Sequence, residues 1–143
     1  MQAFRTDAAD TQCTRQVVAD YVAALQTGDS EALRAAFAPD GTWTLHGDVP
    51  VAGTWTGPDE IFDGFLAQLV ERLDVAAGVT QTLHRIVADG EYAVAEWTSR
   101  ARARSGEAYV NDVAVVFHVV GGKIASAREY TDTSLMKRVL FAS

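Results

Sequence analysis

VTQTLHRIVADGEYAVAEWTSRARARSGEAYVNDVAVVFHVVGGKIASAREYTDT, residues 79–133, decides the architecture of this chain. β-Branched and aromatic residues recur along it, and three glycine-bearing pairs cut it into lengths. Asp89-Gly90, Ser105-Gly106 and Gly121-Gly122 each offer a residue that tolerates the positive φ of a two-residue hairpin turn. Four long strands are predicted, 79–88, 91–104, 107–120 and 123–133, in meander order. The strand 91–104 is too long to stay flat, so twist and curvature are expected to bend it around whatever packs beneath it.

Two-residue turns fix the register by arithmetic. Val120 pairs with Lys123, which sets Glu129 opposite Ala114, Ala114 opposite Trp97, and Trp97 opposite Thr82. One face is then expected to carry Thr82, His84, Ile86, Ala93, Ala95, Trp97, Asp112, Ala114, Val116, His118, Ala127 and Glu129. The other is expected to carry Tyr92, Val94, Glu96, Tyr109, Asn111, Val113, Val115, Phe117, Arg128 and Tyr130. The first face is rich in alanine with sparse polar groups, the composition of a small-molecule pocket wall on a concave surface. The second mixes bulky apolar residues with charges. It is the expected surface for a homodimer, because such a face left in water would be a large apolar patch.

Upstream of the sheet the period changes from two to that of a helix. Val17, Val18, Tyr21, Val22 and Leu25 place a helix over Thr11–Thr27, ended by Gly28, after a loose lead-in at residues 1–10. Asp29 or Ser30 can cap a short second helix carrying Leu33 and Phe37, and Pro39-Asp40-Gly41 reads as a turn. A strand follows at residues 42–46, then an extended piece around Trp55. Gly57-Pro58-Asp59-Glu60 starts another helix, whose stripe from Ile61 to Leu73 is wide enough to lie on a sheet. The tail, residues 134–143, has helical spacing at Leu135, Met136, Val139 and Leu140. Helices first and a long meander afterwards make one α+β domain over residues 1–143.

Composition removes several function classes. The net charge of −7 argues against nucleic acid and anionic membrane surfaces as partners. One cysteine, Cys13, rules out an internal disulfide and any thiolate metal cluster, and His46, His84 and His118 have no metal-ligand spacing, so no metal is expected. The first residues, MQAFRTDAADTQ, carry acids and no apolar run, and a cytoplasmic location is the default expectation.

The candidate chemistry is that of carboxylates. In the expected register Asp112 lies diagonal to Glu129 on the alanine-rich face, about 7–8 Å away between Cα atoms. Two carboxylates that close in a poorly hydrated site do not both ionise at their ordinary values, so one becomes a usable general acid or base near neutrality. His46, at the end of the first strand, is a third candidate catalytic group. Tyr21, Trp43, His84, Trp97 and Asn111 are candidate ligand contacts. The competing reading is a non-catalytic binding or dimerisation module, in which Glu129 is tied up by Arg128 or Arg100.

Several strings carry a family resemblance: Tyr21 in the first helix, FAPDGTWTLHG at 37–47, GTWTGPDEI at 53–61, YVNDVAVVF at 109–117 and GGKIASAREYTDT at 121–133. Over residues 14–140 the chain resembles the nuclear transport factor 2-like superfamily, and most closely its SnoaL-like, ketosteroid isomerase-related branch. The resemblance implies a cone-shaped fold, in which a strongly bent sheet wraps around helices, encloses a deep pocket and dimerises through its outer face. It also implies polyketide cyclase, isomerase or hydrolase chemistry by pocket carboxylates without a cofactor, acting on a small carbonyl or polyketide-like molecule. Glu129 falls where the cyclases and epoxide hydrolases place an acid on the last strand. Asp112 falls within a residue of the hydrogen-bonding acid of the isomerases. The hydrolase arginine and aspartate would fall at Glu96 and Thr98, so that triad is absent, and the isomerase base would fall near Leu45 or His46.

Overall fold

The computed structural model describes residues 2–142, with side chains described from Ala8 onward. The helical spacing around Tyr21 makes α1, which spans Gln2–Thr27 and so takes in most of the segment expected as a lead-in. Its inward face buries Val18, Tyr21 and Val22. Gly28 stops it at φ +70°, a left-handed position that favours glycine. Asp29 then caps α2 (Ser30–Ala35), its carboxylate accepting the Ala32 N–H at 3.1 Å.

The sheet has six strands: β1 (Phe37–Leu45), β2 (Gly53–Thr56), β3 (Thr80–Asp89), β4 (Tyr92–Arg102), β5 (Ala108–Val120) and β6 (Lys123–Thr131). Their order is β2-β1-β6-β5-β4-β3. The sheet is curved and unclosed, with α1 packed on its concave side against β3, β4 and β5. All neighbouring pairs are antiparallel except β1 and β6, which run parallel. The expected turn at Pro39-Asp40-Gly41 lies inside β1, as an irregularity where the pairing with β6 shifts between Phe37 and Thr42. A side chain at Gly41 would begin 2.7 Å from the Ile124 carbonyl oxygen, so the two backbones meet this closely only because position 41 lacks a Cβ.

The register departs from the arithmetic in a way that turns β5 over. β4 and β5 pair as Arg102↔Ala108 and Trp97↔Val113, one residue away from the expected register. The cause is the connection: Ala103 N–H donates to Glu107 O and Gly106 N–H to Ala103 O, a longer loop than the two-residue turn read from Ser105-Gly106. The last hairpin begins as expected at Val120↔Lys123, then slips between His118 and Val119, so that Glu129 opposes Val115. A one-residue slip moves a whole strand's side chains to the other face. The concave face of β5 therefore holds Tyr109, Asn111, Val113, Val115 and Phe117, all buried. Asp112, Ala114, Val116 and His118 lie on the convex face, the reverse of the expectation. Burying valines and a phenylalanine removes far more apolar surface from water than burying alanine would. β4 keeps its expected face, with Ala93, Ala95 and Trp97 buried.

The helix expected after Gly57 is segmented. Gly57–Asp59 is α3, Glu60–Leu66 is a π-helical turn and Ala67–Val70 is α4, followed by a 3₁₀ turn at Val75–Ala77. The π turn aims Ile61, Phe62 and Phe65 into one core. There an aromatic cluster joins helices to sheet, with the Tyr21 ring centre 5.6 Å from Phe117 and 5.7 Å from Phe37, and Trp43 6.1 Å from both Tyr21 and Phe65. Such edge and tilted pairs add to plain area burial. The tail forms α5 (Thr133–Leu140), capped by Asp132, whose carboxylate accepts the Leu135 N–H. It is tied down by Arg138–Glu107 at 2.8 Å, Lys137–Asp48 at 3.1 Å and the Arg72 guanidinium 4.3 Å above the Phe141 ring.

Gly41→Ala is expected to lower the unfolding free energy by about 1–3 kcal/mol, because the added methyl must push β1 off β6. Urea titration checks it; a midpoint equal to that of the parent chain would show that the close approach to Ile124 is not required.

Candidate functional site

The centre of the concave face is a carboxylate. Glu129 points inward from β6 between Val115 on β5 and Leu45 on β1, and only 7 % of the residue is exposed. Trp43, inward on β1, donates its indole N–H to Glu129 Oε1 at 3.0 Å. Burial pushes the Glu129 pKa up to about 7, and the Trp43 hydrogen bond pulls part of the way back because it favours the charged form. The upward shift thus comes from desolvation and not from a second carboxylate. Among the described residues no cation pairs with Glu129. Arg128 points to the convex side, toward His46 and the Tyr130 hydroxyl, and Arg100 donates to Thr82 Oγ1.

Two phenols share this environment. Tyr21 reaches in from α1, and burial followed by the Glu129 charge raises its pKa. Tyr109 on β5 is pushed up to about 12, first by burial, with the Asn111 hydrogen bond opposing and the charges of Glu129 and Asp132 adding to it. Both are neutral hydrogen-bond donors near neutral pH. Neither Tyr21 Oη nor Glu129 Oε2 has a hydrogen-bond partner among the described residues. Asn111 donates to Tyr109 Oη at 2.9 Å and to the Asp132 carbonyl at 3.0 Å, and its own oxygen accepts the Asp132 N–H at 3.2 Å. Both of its N–H groups are thereby committed inside the protein.

Of the residues singled out from sequence, Glu129, Trp43, Tyr21, Trp97 and Asn111 share the concave interior. Asp112, His46 and His84 do not join them. Asp112 lies on the convex face, where Thr98 Oγ1 donates to it at 2.7 Å and His84 Nε2 sits 2.7 Å from the same hydroxyl. That chain lies in a surface depression of about 340 Å³ shared with Arg85, Glu96 and Tyr130. His46 stacks on Tyr130, ring centres 4.8 Å apart, with Arg128 Nη2 3.2 Å from its Nε2. Sequence reasoning passed over Tyr109 and Phe65. The signal for Tyr109 was available in the strict alternation Tyr109, Asn111, Val113, Val115, Phe117, a more bulky set than the alanines chosen as inward-facing. Among the described residues no group of three His, Cys, Asp or Glu side chains is placed to hold a metal ion. No described helix is long and apolar enough to cross a membrane.

A family model described as a SnoaL-like domain matches residues 18–127, from the middle of α1 into β6. The chain belongs to the SnoaL-like family. Solved structures share its fold, among them an NTF2-like protein from Burkholderia thailandensis at 31% identity, covering 88% of this chain and 95% of that one with a TM-score of 0.80. TerC co-crystallised with polyporic acid is 19% identical, covers 91% and 99% of the two chains and has a TM-score of 0.78. A protein with a ketosteroid isomerase-like fold from Catenulispora acidiphila, in complex with trimethylamine, is 21% identical over 89% and 93% at a TM-score of 0.71. The cone expected from the sequence is thus the fold of this SnoaL-like domain. A search of curated proteins found no match.

The raised pKa of Glu129 carries a stability consequence. The carboxyl titrates near 4.5 when unfolded and at about 7 when folded. The stability it permits is complete below pH 4.5 and is lost as pH rises through 7, where an ionised buried carboxylate costs about 3 kcal/mol. Glu129→Gln is expected to remove this fall in stability between those pH values, read by chemical denaturation at each pH; an unchanged slope would mean that Glu129 titrates alike in both states.

Proposed function

We propose that this SnoaL-like chain is a cofactor-independent enzyme that binds a small, largely apolar carbonyl or polyketide-like molecule against the concave face, with Glu129 as its general acid/base. The observation that carries this reading is the state of Glu129: buried, held by one indole N–H, free of any cation among the described residues, and titrating at about 7. A carboxyl poised there can take a proton from the carbon beside a carbonyl and return it elsewhere on the same molecule. Tyr21, a neutral phenol beside it, is suited to hydrogen-bond the oxygen on which negative charge develops. Asp112 and His46 have no part in it, since both lie on the convex side. The small molecules in the TerC and Catenulispora structures support the binding half of the reading for proteins of this fold. Had Glu129 been locked to Arg128 or Arg100, a purely structural module would be favoured instead.

The proposed assembly is a homodimer through the convex face in the cytoplasm. Tyr92, Val110 and Tyr130 stand 54%, 48% and 44% exposed there, a pattern that a second copy would cover. Val110→Glu is expected to shift the sedimenting species from dimer to monomer; a parent chain that already sediments as a monomer would remove the proposal.

The catalytic half is tested without knowing the substrate. 2-Tetralone, an apolar bicyclic ketone, is incubated with the protein in deuterated water, and loss of its α-proton signal is followed by NMR. Catalysed exchange above the buffer rate is expected, rising through about pH 7 as Glu129 ionises. Glu129→Gln should lower it by about a hundredfold or more. Exchange at the parent rate in that variant would overturn the assignment of Glu129.

A further inference from the structure

Asn111 fixes the direction of a proton that the protein itself does not use. The backbone of Asp132 holds the Asn111 amide at both ends, N–H to Oδ1 and Nδ2 to carbonyl, so the amide cannot turn over without losing both bonds. The second Nδ2 proton goes to Tyr109 Oη. Tyr109 is therefore an acceptor toward Asn111, and its own phenolic hydrogen must point elsewhere. No described group accepts it. Tyr109 is nonetheless buried on the concave face, and the Glu129 charge acts on it across the interior.

The strand register offsets this donor from the carboxylate along the concave face by about the length of a two-ring molecule. Glu129 pairs with Val115, and Tyr109 stands six residues before Val115 on the same face of β5. Their Cα positions are about 20 Å apart along extended backbone, but the phenol leans back to Asn111, two residues nearer, and its hydroxyl is within reach of the Glu129 charge. One end of the concave wall thus carries Glu129, Trp43 and Tyr21, and the other carries a single oriented phenol beside the turn into α5. Between them run the apolar side chains of Val113 and Val115.

We propose that Tyr109 is a second ligand anchor, positioned by Asn111, that donates its proton to an oxygen on the end of the ligand remote from Glu129. The site would then select elongated apolar molecules oxygenated at both ends, the reacting carbonyl at Glu129 and a hydroxyl or second carbonyl at Tyr109. This rests on the concave-site reading above and narrows its substrate class.

Two probes separate the ideas. 2-Tetralone carries one oxygen, and 6-hydroxy-2-tetralone adds a second at the far end of the bicycle. The parent chain is expected to bind the hydroxylated probe about fivefold to tenfold more tightly, the worth of one neutral hydrogen bond. Dissociation constants come from the quenching of tryptophan fluorescence. Tyr109→Phe should erase that preference while leaving the affinity for 2-tetralone unchanged. Asn111→Ala should reduce the preference, because the phenol is no longer oriented, and thermal melts establish that each variant is folded. Glu129→Gln should keep the preference and lose only the exchange reaction, so failure of the catalytic reading leaves this one standing. Equal binding of both probes by the parent chain, no binding of either, or a preference that survives Tyr109→Phe would each overturn the proposal.

Discussion

Burying Tyr109, Val113, Val115 and Phe117 on the concave face, Phe117 against Tyr21 of α1, fixes the direction of every side chain around them. Strand side chains alternate strictly, so once the bulky set of β5 turns inward its neighbours have no freedom. Asp112 and His118 must face outward, Trp97 must oppose Val113, and Glu129 must oppose Val115. The convex Thr98–Asp112 hydrogen bond and the concave Tyr109–Asn111 pair are two consequences of one hydrophobic choice.

Set into that wall, Glu129 is the one charged residue type among the buried polar residues Thr14, Thr98, Asn111 and Glu129. A carboxylate taken out of water without a cation is unfavourable, and among the described residues only an indole N–H compensates. The remainder appears as a proton held more tightly than usual. A local departure from the rules of stable packing, embedded in an otherwise consistent core, is where function is expected to sit.

Much of this was legible in the residues. Four strands, the two leading helices, the helical tail and the inward position of Glu129 all follow from period, turn chemistry and the Gly121-Gly122 hairpin. What the residues hid was two connections. Asp89 pairs with Tyr92, and a shift between Leu83 and Arg85 sets Leu83, not Thr82, opposite Trp97, while the loop after β4 is longer than it reads. Ser105-Gly106 reads as a two-residue turn, but Ala103 and Glu107 also take part in the loop, and a one-residue error there inverted β5. The error carried Asp112 into the site and Tyr109 out of it. Side-chain volume held the correction, since Val113, Val115 and Phe117 outweigh the alanines that seemed to line a cavity. The parallel pairing of β1 with β6 was beyond local reading, because β2, the segmented helix and β3 to β5 lie between them in the chain.

That parallel pairing also bears on how the site comes into being. The Trp43–Glu129 hydrogen bond closes a separation of 86 residues, and β1 lies beside β6 although β2 to β5 come between them in the chain. Contacts of such sequence separation demand a large loss of chain entropy before they return any stabilisation, and they slow folding. The carboxylate is therefore not tuned by any local segment of the chain. Its proton affinity is a property of the completed topology, and a chain that has collapsed without docking its first strand on its last would hold every residue of the site and none of its chemistry.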